Sequence, residues 1–328
     1  MKRVILRSSI LLFYCFSITY ATSAQSPAFT VVPLGVKGGL DESNLSAYMA
    51  AAAGTDDYIC LDAGTLYSGI RVAVENGVFP PPASTVLRRY IKGYFISHPH
   101  LDHVAGLILN SPDDSAKNIY GLPSCLNVIR DKYFSWQSWA NFADDGEKPL
   151  LKKYHYVPMQ PAREIAIENT ALHVQAWPLS HGAPYESAAF LVRSGTGGAA
   201  GRGDNYLLYL GDTGADSVEQ SDKLHALWLA TGPLVKNGRL KAIFIEVSFP
   251  NEQPDKQLFG HLTPRLLMQE LKALEQLAGE GSLKGLPVVI THRKPSGNQE
   301  ETIAKELKDN NPLQVKLVFP EQGKRLDL

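Results

Sequence analysis

Short apolar runs closed off by turn-forming residues recur along this chain. Residues 29–32, 58–61, 93–97, 172–177, 188–192, 206–210, 242–246, 288–291 and 315–319 are rich in β-branched or aromatic side chains and are bounded by Gly, Pro, Asp or Asn. That pattern predicts strands. Helical periods are read at 44–53, 104–109, 264–278 and 298–309. The third is the clearest, with Leu266, Leu267, Leu271, Leu274 and Leu277 on one face, Thr263 placed to cap it and Pro264 in its first turn. Those leucines are core packing. Strands with interspersed helices and no 20–50-residue repeat predict a single α/β domain over 25–328. Two stretches look like additions to its core. One is an aromatic-rich, helical insert at about 111–161; the other is a Gly-rich hairpin tip at 194–205.

The polar positions that interrupt this pattern are unusual. Directly after the 93–97 strand stands His98-Pro99-His100-Leu101-Asp102-His103. Three imidazoles and a carboxylate in six residues are costly to place at a strand-to-helix junction unless something satisfies them. Imidazole and carboxylate together suit zinc and similar divalent ions. His181, Asp212 and His292 each follow a further predicted strand. Singly each could be a turn or capping residue; together with the first cluster they make five His and two Asp. One tetrahedral zinc takes about four ligands, so seven imply two metal ions sharing one carboxylate. His155, His173 and His225 have no such company and read as surface or packed residues.

Composition narrows the partners. A formal net charge of -1 over 328 residues gives little general grip on a polyanion, so a polynucleotide is not the expected partner. Lys2, Arg3 and Arg7 precede an apolar run and then Thr22-Ser23-Ala24, the plan of a cleaved signal peptide over 1–24. The run is short for a membrane span. A periplasmic or secreted protein without a stable membrane anchor is expected. An oxidising compartment permits a disulfide, but Cys60 lies inside an apolar strand and reads as a free buried thiol, so no bridge to Cys125 is assigned. Oligomeric state is not legible.

The order His-x-His-x-Asp-His, an isolated His, a Gly-Asp-Thr aspartate and a final His resembles the metallo-β-lactamase superfamily; so does Asp62-Ala63-Gly64-Thr65 after the 58–61 strand. The resemblance implies an αββα four-layer sandwich, two packed mixed sheets flanked by helices. It also implies that His98, His100 and His181 hold one metal, that Asp102, His103 and His292 hold the other, and that Asp212 bridges them. Asp62 would accept a hydrogen bond from a metal-bound imidazole. The longer stretch from His98 through Val104-Ala105-Gly106-Leu107-Ile108-Leu109 to Asn110-Ser111-Pro112 is similar to the signature of class II 3′,5′-cyclic-nucleotide phosphodiesterases. Glu246-Val247-Ser248-Phe249-Pro250 and Gly260-His261-Leu262-Thr263-Pro264 add to that likeness.

The implied substrate is cyclic AMP or cyclic GMP, cleaved at the 3′ ester. Two divalent ions, most simply zinc, about 3.5–4 Å apart would lower the pKa of a bridging water from about 15.7 towards 7. Asp102 belongs to this catalytic group. His261 is the candidate proton donor to the leaving oxygen, oriented by Glu246, a pair that resembles one in tRNase Z enzymes. Trp136, Trp139 and Phe142 are candidates for stacking a base, although aromatic clusters more often pack in cores. Lys294 is either a phosphate contact or a solvated side chain. Superfamily alone does not settle substrate. A tRNase Z-like ribonuclease, a lactonase, or a non-catalytic metal-binding protein stay open as alternatives.

Overall fold

The structure, a computed structural model, describes residues 26–80, 82–195 and 203–328. The segment read as a leader and most of the Gly-rich tip lie outside the described residues. The chain lays down β1 (Phe29–Gly35), β2 (Ala47–Ala52), β3 (Tyr58–Leu61), β4 (Ile91–Phe95), β5 (Lys117–Gly121) and β6 (Tyr154–Pro158). It then builds β7 (Ile165–Ala166), β8 (Leu172–Ser180), β9 (Glu186–Ser194), β10 (Asn205–Leu210), β11 (Leu240–Glu246), β12 (Pro287–Thr291) and β13 (Lys316–Val318), and returns with β14 (Leu326–Asp327). The principal helices are α1 (Tyr67–Glu75), α2 (Leu101–Asn110), α3 (Pro123–Val128), α4 (Lys223–Lys236), α5 (Pro264–Ala278) and α6 (Gln299–Asp309).

The strands form two seven-stranded sheets, ordered β14-β1-β2-β3-β4-β5-β6 and β13-β12-β11-β10-β9-β8-β7. Each is antiparallel at one end and parallel at the other: β3 to β6 run parallel in the first, β10 to β13 in the second. Helices cross between the parallel strands, as such connections require. The two halves of the chain thus repeat one plan.

Alternation along the strands sorts side chains into layers. In β2, Tyr48, Ala50 and Ala52 enter the core between the sheets, while Ala47, Met49 and Ala51 face the helices on the first sheet. Phe95, Phe190, Tyr209 and Phe244 fill the inter-sheet layer, with Phe95 and Phe190 at 5.5 Å and Tyr48 and Phe244 at 5.6 Å between ring centres. Leu266, Leu267, Leu271 and Leu274 of α5 bury against the outer face of the second sheet, and Thr263 accepts a bond from the backbone of Leu266 at 3.4 Å. Leu277 lies at the margin of that face, 37% exposed. The result is the four-layer sandwich.

Two expectations are corrected. Residues 44–53 contain β2, not a helix. Alanine is a strong helix former in isolation, but this run is buried on both faces and hydrogen-bonded between β1 and β3, and tertiary pairing outweighs propensity. Residues 111–161 are not mainly helical. They supply β5 and β6 to the first sheet, with only α3 and a π-helical turn over Ile129–Tyr133 between them. Cys60 and Cys125 are both buried and free. Among the described residues no helix is long and apolar enough to cross a membrane.

Candidate metal centre

All the candidate ligands leave the sheets at the same edge, where the carboxyl ends of parallel strands open into loops. Asp62 follows β3, His98 and His100 follow β4 with Asp102 and His103 in the first turn of α2, Asp212 follows β10 and His292 follows β12; Glu246 ends β11, and His181 follows the antiparallel β8. Close backbone approach brings the loops together. A Cβ on Gly38 would lie 2.2 Å from Cε1 of His292, and one on Gly64 would lie 2.0 Å from the carbonyl oxygen of Asp102, so glycine is needed at both. Asp62 and His292 themselves take positive φ, 56° and 51°.

The imidazoles converge nitrogen to nitrogen. His98 Nε2 lies 3.0 Å from His100 Nδ1, and His181 Nε2 lies 3.3 Å from the same atom. Asp212 stands among them, with its carboxylate 3.2 Å from His292 Nε2, 3.3 Å from His103 Nε2, and 3.8 Å from both His98 Nε2 and His181 Nε2. Asp102 Oδ2 is 3.1 Å from His292 Nε2 and accepts from the backbone N–H of Gly39 at 3.1 Å. Three-residue groupings able to hold an ion include His98, His100 and His181; Asp102, His103 and His292; and His98, His103 and Asp212.

The outer ring nitrogens decide what the inner ones can do. His103 Nδ1 donates to Asp62 at 2.8 Å, His181 Nδ1 donates to the carbonyl of Gly260 at 2.9 Å, and His98 Nδ1 lies 3.0 Å from Ser97 Oγ. Ser97 Oγ gives its own proton to Asp62 at 2.8 Å, so it accepts from His98. A neutral imidazole with its proton outward presents a lone pair inward. Nitrogen lone pairs about 3 Å apart, facing a carboxylate, repel unless a cation or protons lie between them. His103 Nε2 is buried and makes no well-formed hydrogen bond, with the Asp212 carboxylate 3.3 Å away. These side chains fit a divalent-metal centre.

Electrostatics agree. Burial strips His98 of water, and with His103 beside it holds its pKa well below the ordinary value; His100 is lowered to about 4 by burial and then by His181. Burial alone would raise the carboxyl of Asp212, but the facing His292 and His103 outweigh it and keep Asp212 ionised far below the usual range. Burial likewise opposes protonation of His103, and the charges of Asp212 and Asp62 overcome it. Charged carboxylates thus face imidazoles of which His98 and His100 are held neutral, the protonation states that metal ligands require.

Beside this cluster lies the His261–Glu246 pair singled out in the sequence. His261 Nδ1 donates to Glu246 Oε1 at 2.7 Å, and both residues are buried. The His261 ring stacks on His292 at 5.2 Å and meets His181 edge-on at 4.9 Å. Burial opposes the charge of Glu246, but His261 holds its pKa below the ordinary value. Thr213 N–H also donates to Glu246 Oε1 at 2.9 Å. Asp62 is fully buried and accepts from Ser97 N at 2.7 Å, Ser97 Oγ at 2.8 Å, His103 Nδ1 at 2.8 Å and Tyr209 OH at 2.6 Å.

The insert aromatics considered for stacking a base are engaged elsewhere, while Tyr133 of the same insert donates its hydroxyl to the carbonyl of Pro99, between His98 and His100, at 2.7 Å. Trp139 and Phe142 pack against the helix-side core of the first sheet, and Trp136 donates its indole N–H to the carbonyl of Pro149 at 3.0 Å. The ring that does stand at the ligands is Tyr185, 57% exposed and 4.7 Å edge-on from His100. Nothing in the local pattern marked it, although it closes the same short loop as His181. Lys294 Nζ sits 4.9 Å over the ring of Phe249, which in turn lies 5.8 Å from His261. His155 pairs with Asp144 at the surface, away from the centre.

The sandwich and its converging side chains make a metallo-β-lactamase fold with His/Asp clusters able to hold metal ions. A Bacillus subtilis protein of that fold superposes with a TM-score of 0.57 at 16% identity, over 91% of this chain and 99% of its own. Unliganded yeast PDE1 superposes with a TM-score of 0.78 at 22% identity, over 92% of this chain and 100% of its own. Residues 78–323 match the profile of the class-II cAMP phosphodiesterases, and the chain belongs to that family. A 3′,5′-cyclic-nucleotide phosphodiesterase from Aliivibrio fischeri is 44% identical, across 96% of this chain and 97% of the relative.

Proposed function

We propose that this protein hydrolyses the 3′ ester of 3′,5′-cyclic nucleotides, cyclic AMP or cyclic GMP, to the 5′-monophosphate. His98, His100 and His181 would hold one divalent ion and Asp102, His103 and His292 a second, with Asp212 shared; the imidazole-rich set suits zinc. When bound, such ions supply positive charge for the phosphoryl oxygens and acidify a water.

The chain's own residues complete the reaction. Water oxygen bonds to phosphorus as the bond from phosphorus to the 3′ oxygen breaks. Glu246 fixes Nδ1 of His261 and stabilises its imidazolium, so that Nε2–H can deliver a proton to the departing 3′ oxygen. Asp102 is held ionised, because its bond to His292 outweighs the burial that would raise it; as an ionised carboxylate among the candidate ligands it would accept the proton that water loses. The observation that carries this reading is the His261–Glu246 pair, buried against the ligand cluster of a class-II family member. The lead segment and its small residues at 22–24 support export to the periplasm or exterior, which cell fractionation would test.

The deciding assay incubates zinc-loaded protein with cyclic AMP and separates the products by chromatography. Expected is 5′-AMP, lost on chelation and in Asp212→Ala. Formation of 3′-AMP would refute the choice of bond, and no turnover by fully metallated protein would refute the substrate.

A further inference from the structure

Ser248 has no part in the chemistry above, yet its hydroxyl sits where the metal ligands and the acid pair meet. The parallel register of β11 and β12 pairs Glu246 with Thr291, which brings Ser248, two residues past the strand, beside His292. Ser248 is fully buried, and its own N–H is fixed by the carbonyl of Leu262 at 3.1 Å. Its Oγ donates to Glu246 Oε2 in a short bond and lies 2.9 Å from His292 Nδ1, with His261 Nδ1 further off at 3.3 Å.

A hydroxyl has one proton to give. With that proton given to Glu246 in the short bond, in preference to the carbonyl of His292 at 3.2 Å, Oγ accepts from His292, which therefore carries its proton on Nδ1 and turns the Nε2 lone pair towards Asp102 and Asp212. The other oxygen of Glu246 receives Nδ1–H of His261. The geometry thus brings two donor arms together on Glu246: His292 Nδ1–H to Ser248 Oγ–H to Glu246 Oε2 on one side, and His261 Nδ1–H to Glu246 Oε1 on the other. Every link has a single sense. Glu246, an acceptor only, couples the two arms by position, since both hold the same carboxylate in place.

We propose that Ser248 is a positioning residue that locks the proton donor and the metal ligand His292 into one unit. His292 cannot turn without loosening Glu246, and Glu246 cannot turn without releasing His261. The proposal rests on the phosphodiesterase reading for its kinetic half and on hydrogen bonding alone for its metal half.

Ser248→Ala separates the two halves and removes only one oxygen. Steady-state kinetics at saturating zinc would compare cyclic AMP, whose alkoxide leaving group needs a proton, with bis(p-nitrophenyl) phosphate, whose phenolate does not. Metal retention would be measured independently by competition with a chromophoric chelator. We expect kcat on cyclic AMP to fall about 10–100-fold, the usual cost of losing an outer hydrogen-bond partner, with KM little changed. The loss on the activated ester should be several-fold smaller. Zinc affinity should fall about tenfold, again the scale for such partners.

Glu246→Gln, which changes the carboxylate that the two arms share, should reproduce the substrate split while retaining zinc better than Ser248→Ala. Equal losses on both esters would overturn the link to His261, and unchanged zinc affinity in Ser248→Ala would overturn the link to His292. If the wild type hydrolyses neither ester, the phosphodiesterase reading fails, and the chelator competition still decides the metal half.

Discussion

Replacing Asp62 with Asn keeps the size and shape of a fully buried side chain but exchanges an anionic acceptor for a neutral amide. The backbone there, at φ 56°, suits Asn at least as well as Asp, so no new strain enters. The carboxylate now satisfies one donor on Oδ1, Ser97 N, and three on Oδ2: Ser97 Oγ, His103 Nδ1 and Tyr209 OH. An amide can serve only one of these sets. With its NH2 towards the single donor, the backbone N–H of Ser97 is left unpaired, which costs about 1–3 kcal/mol. The remaining three bonds lose their charge assistance, roughly halving bonds worth about 1.5–3 kcal/mol each. Hydroxyls can rotate and recover part of this, so a net loss of about 2–4 kcal/mol is expected.

His103 then faces a weaker acceptor, and its inward nitrogen becomes a poorer ligand, worth about 10–100-fold in metal affinity. Urea unfolding of chelated protein reads the first quantity, and competition with a chromophoric chelator reads the second. If Asp62→Asn loses stability but binds zinc as the wild type does, Asp62 is a structural acid only and its role in orienting His103 is refuted. Wild-type values for both would refute the hydrogen-bond argument altogether.

Two further outcomes follow from positions away from the reacting atoms. Gly38→Ala places a Cβ 2.2 Å from His292 Cε1, so the ring must move; zinc retained per chain after dialysis against chelator should drop from the wild-type ratio, and an unchanged ratio would refute the close-approach argument. Glu270 has a raised pKa, chiefly from burial, though it accepts from Trp228 Nε1 at 3.2 Å. Between its unfolded and folded pKa the native state binds more protons than the unfolded state, so this group's contribution to stability is present below the unfolded pKa and lost as pH rises through the folded one. In Glu270→Gln that loss disappears: the stability of the variant relative to wild type should rise between pH 4 and pH 7, as read by urea midpoints. A difference that stays constant with pH would refute the assignment.

The candidate metal ligands were legible because their chemistry is conspicuous in one dimension. Imidazoles and carboxylates at the ends of apolar runs have no inexpensive place in a core, so His98, His100, Asp102, His103, His181, Asp212 and His292 stood out before any fold was known. The strands carrying them were legible for the same reason, since short apolar runs between turn residues depend on little beyond local pattern. What tertiary structure alone decided is whatever depends on partners far along the chain. Residues 47–52 are alanine-rich and locally favour helix, and become strand because β1 and β3 hydrogen-bond to both edges. Trp139 and Phe142 were candidates for stacking a base, with core packing the commoner fate of such clusters, and tertiary structure packs them against the core. Ser248 is one serine among many in sequence. Only the register of β11 with β12, and a separation of 44 residues closed to 2.9 Å, make it the joint between His292 and Glu246. Local composition determines which groups can do chemistry, whereas hydrogen-bond direction exists only once distant segments are held against one another.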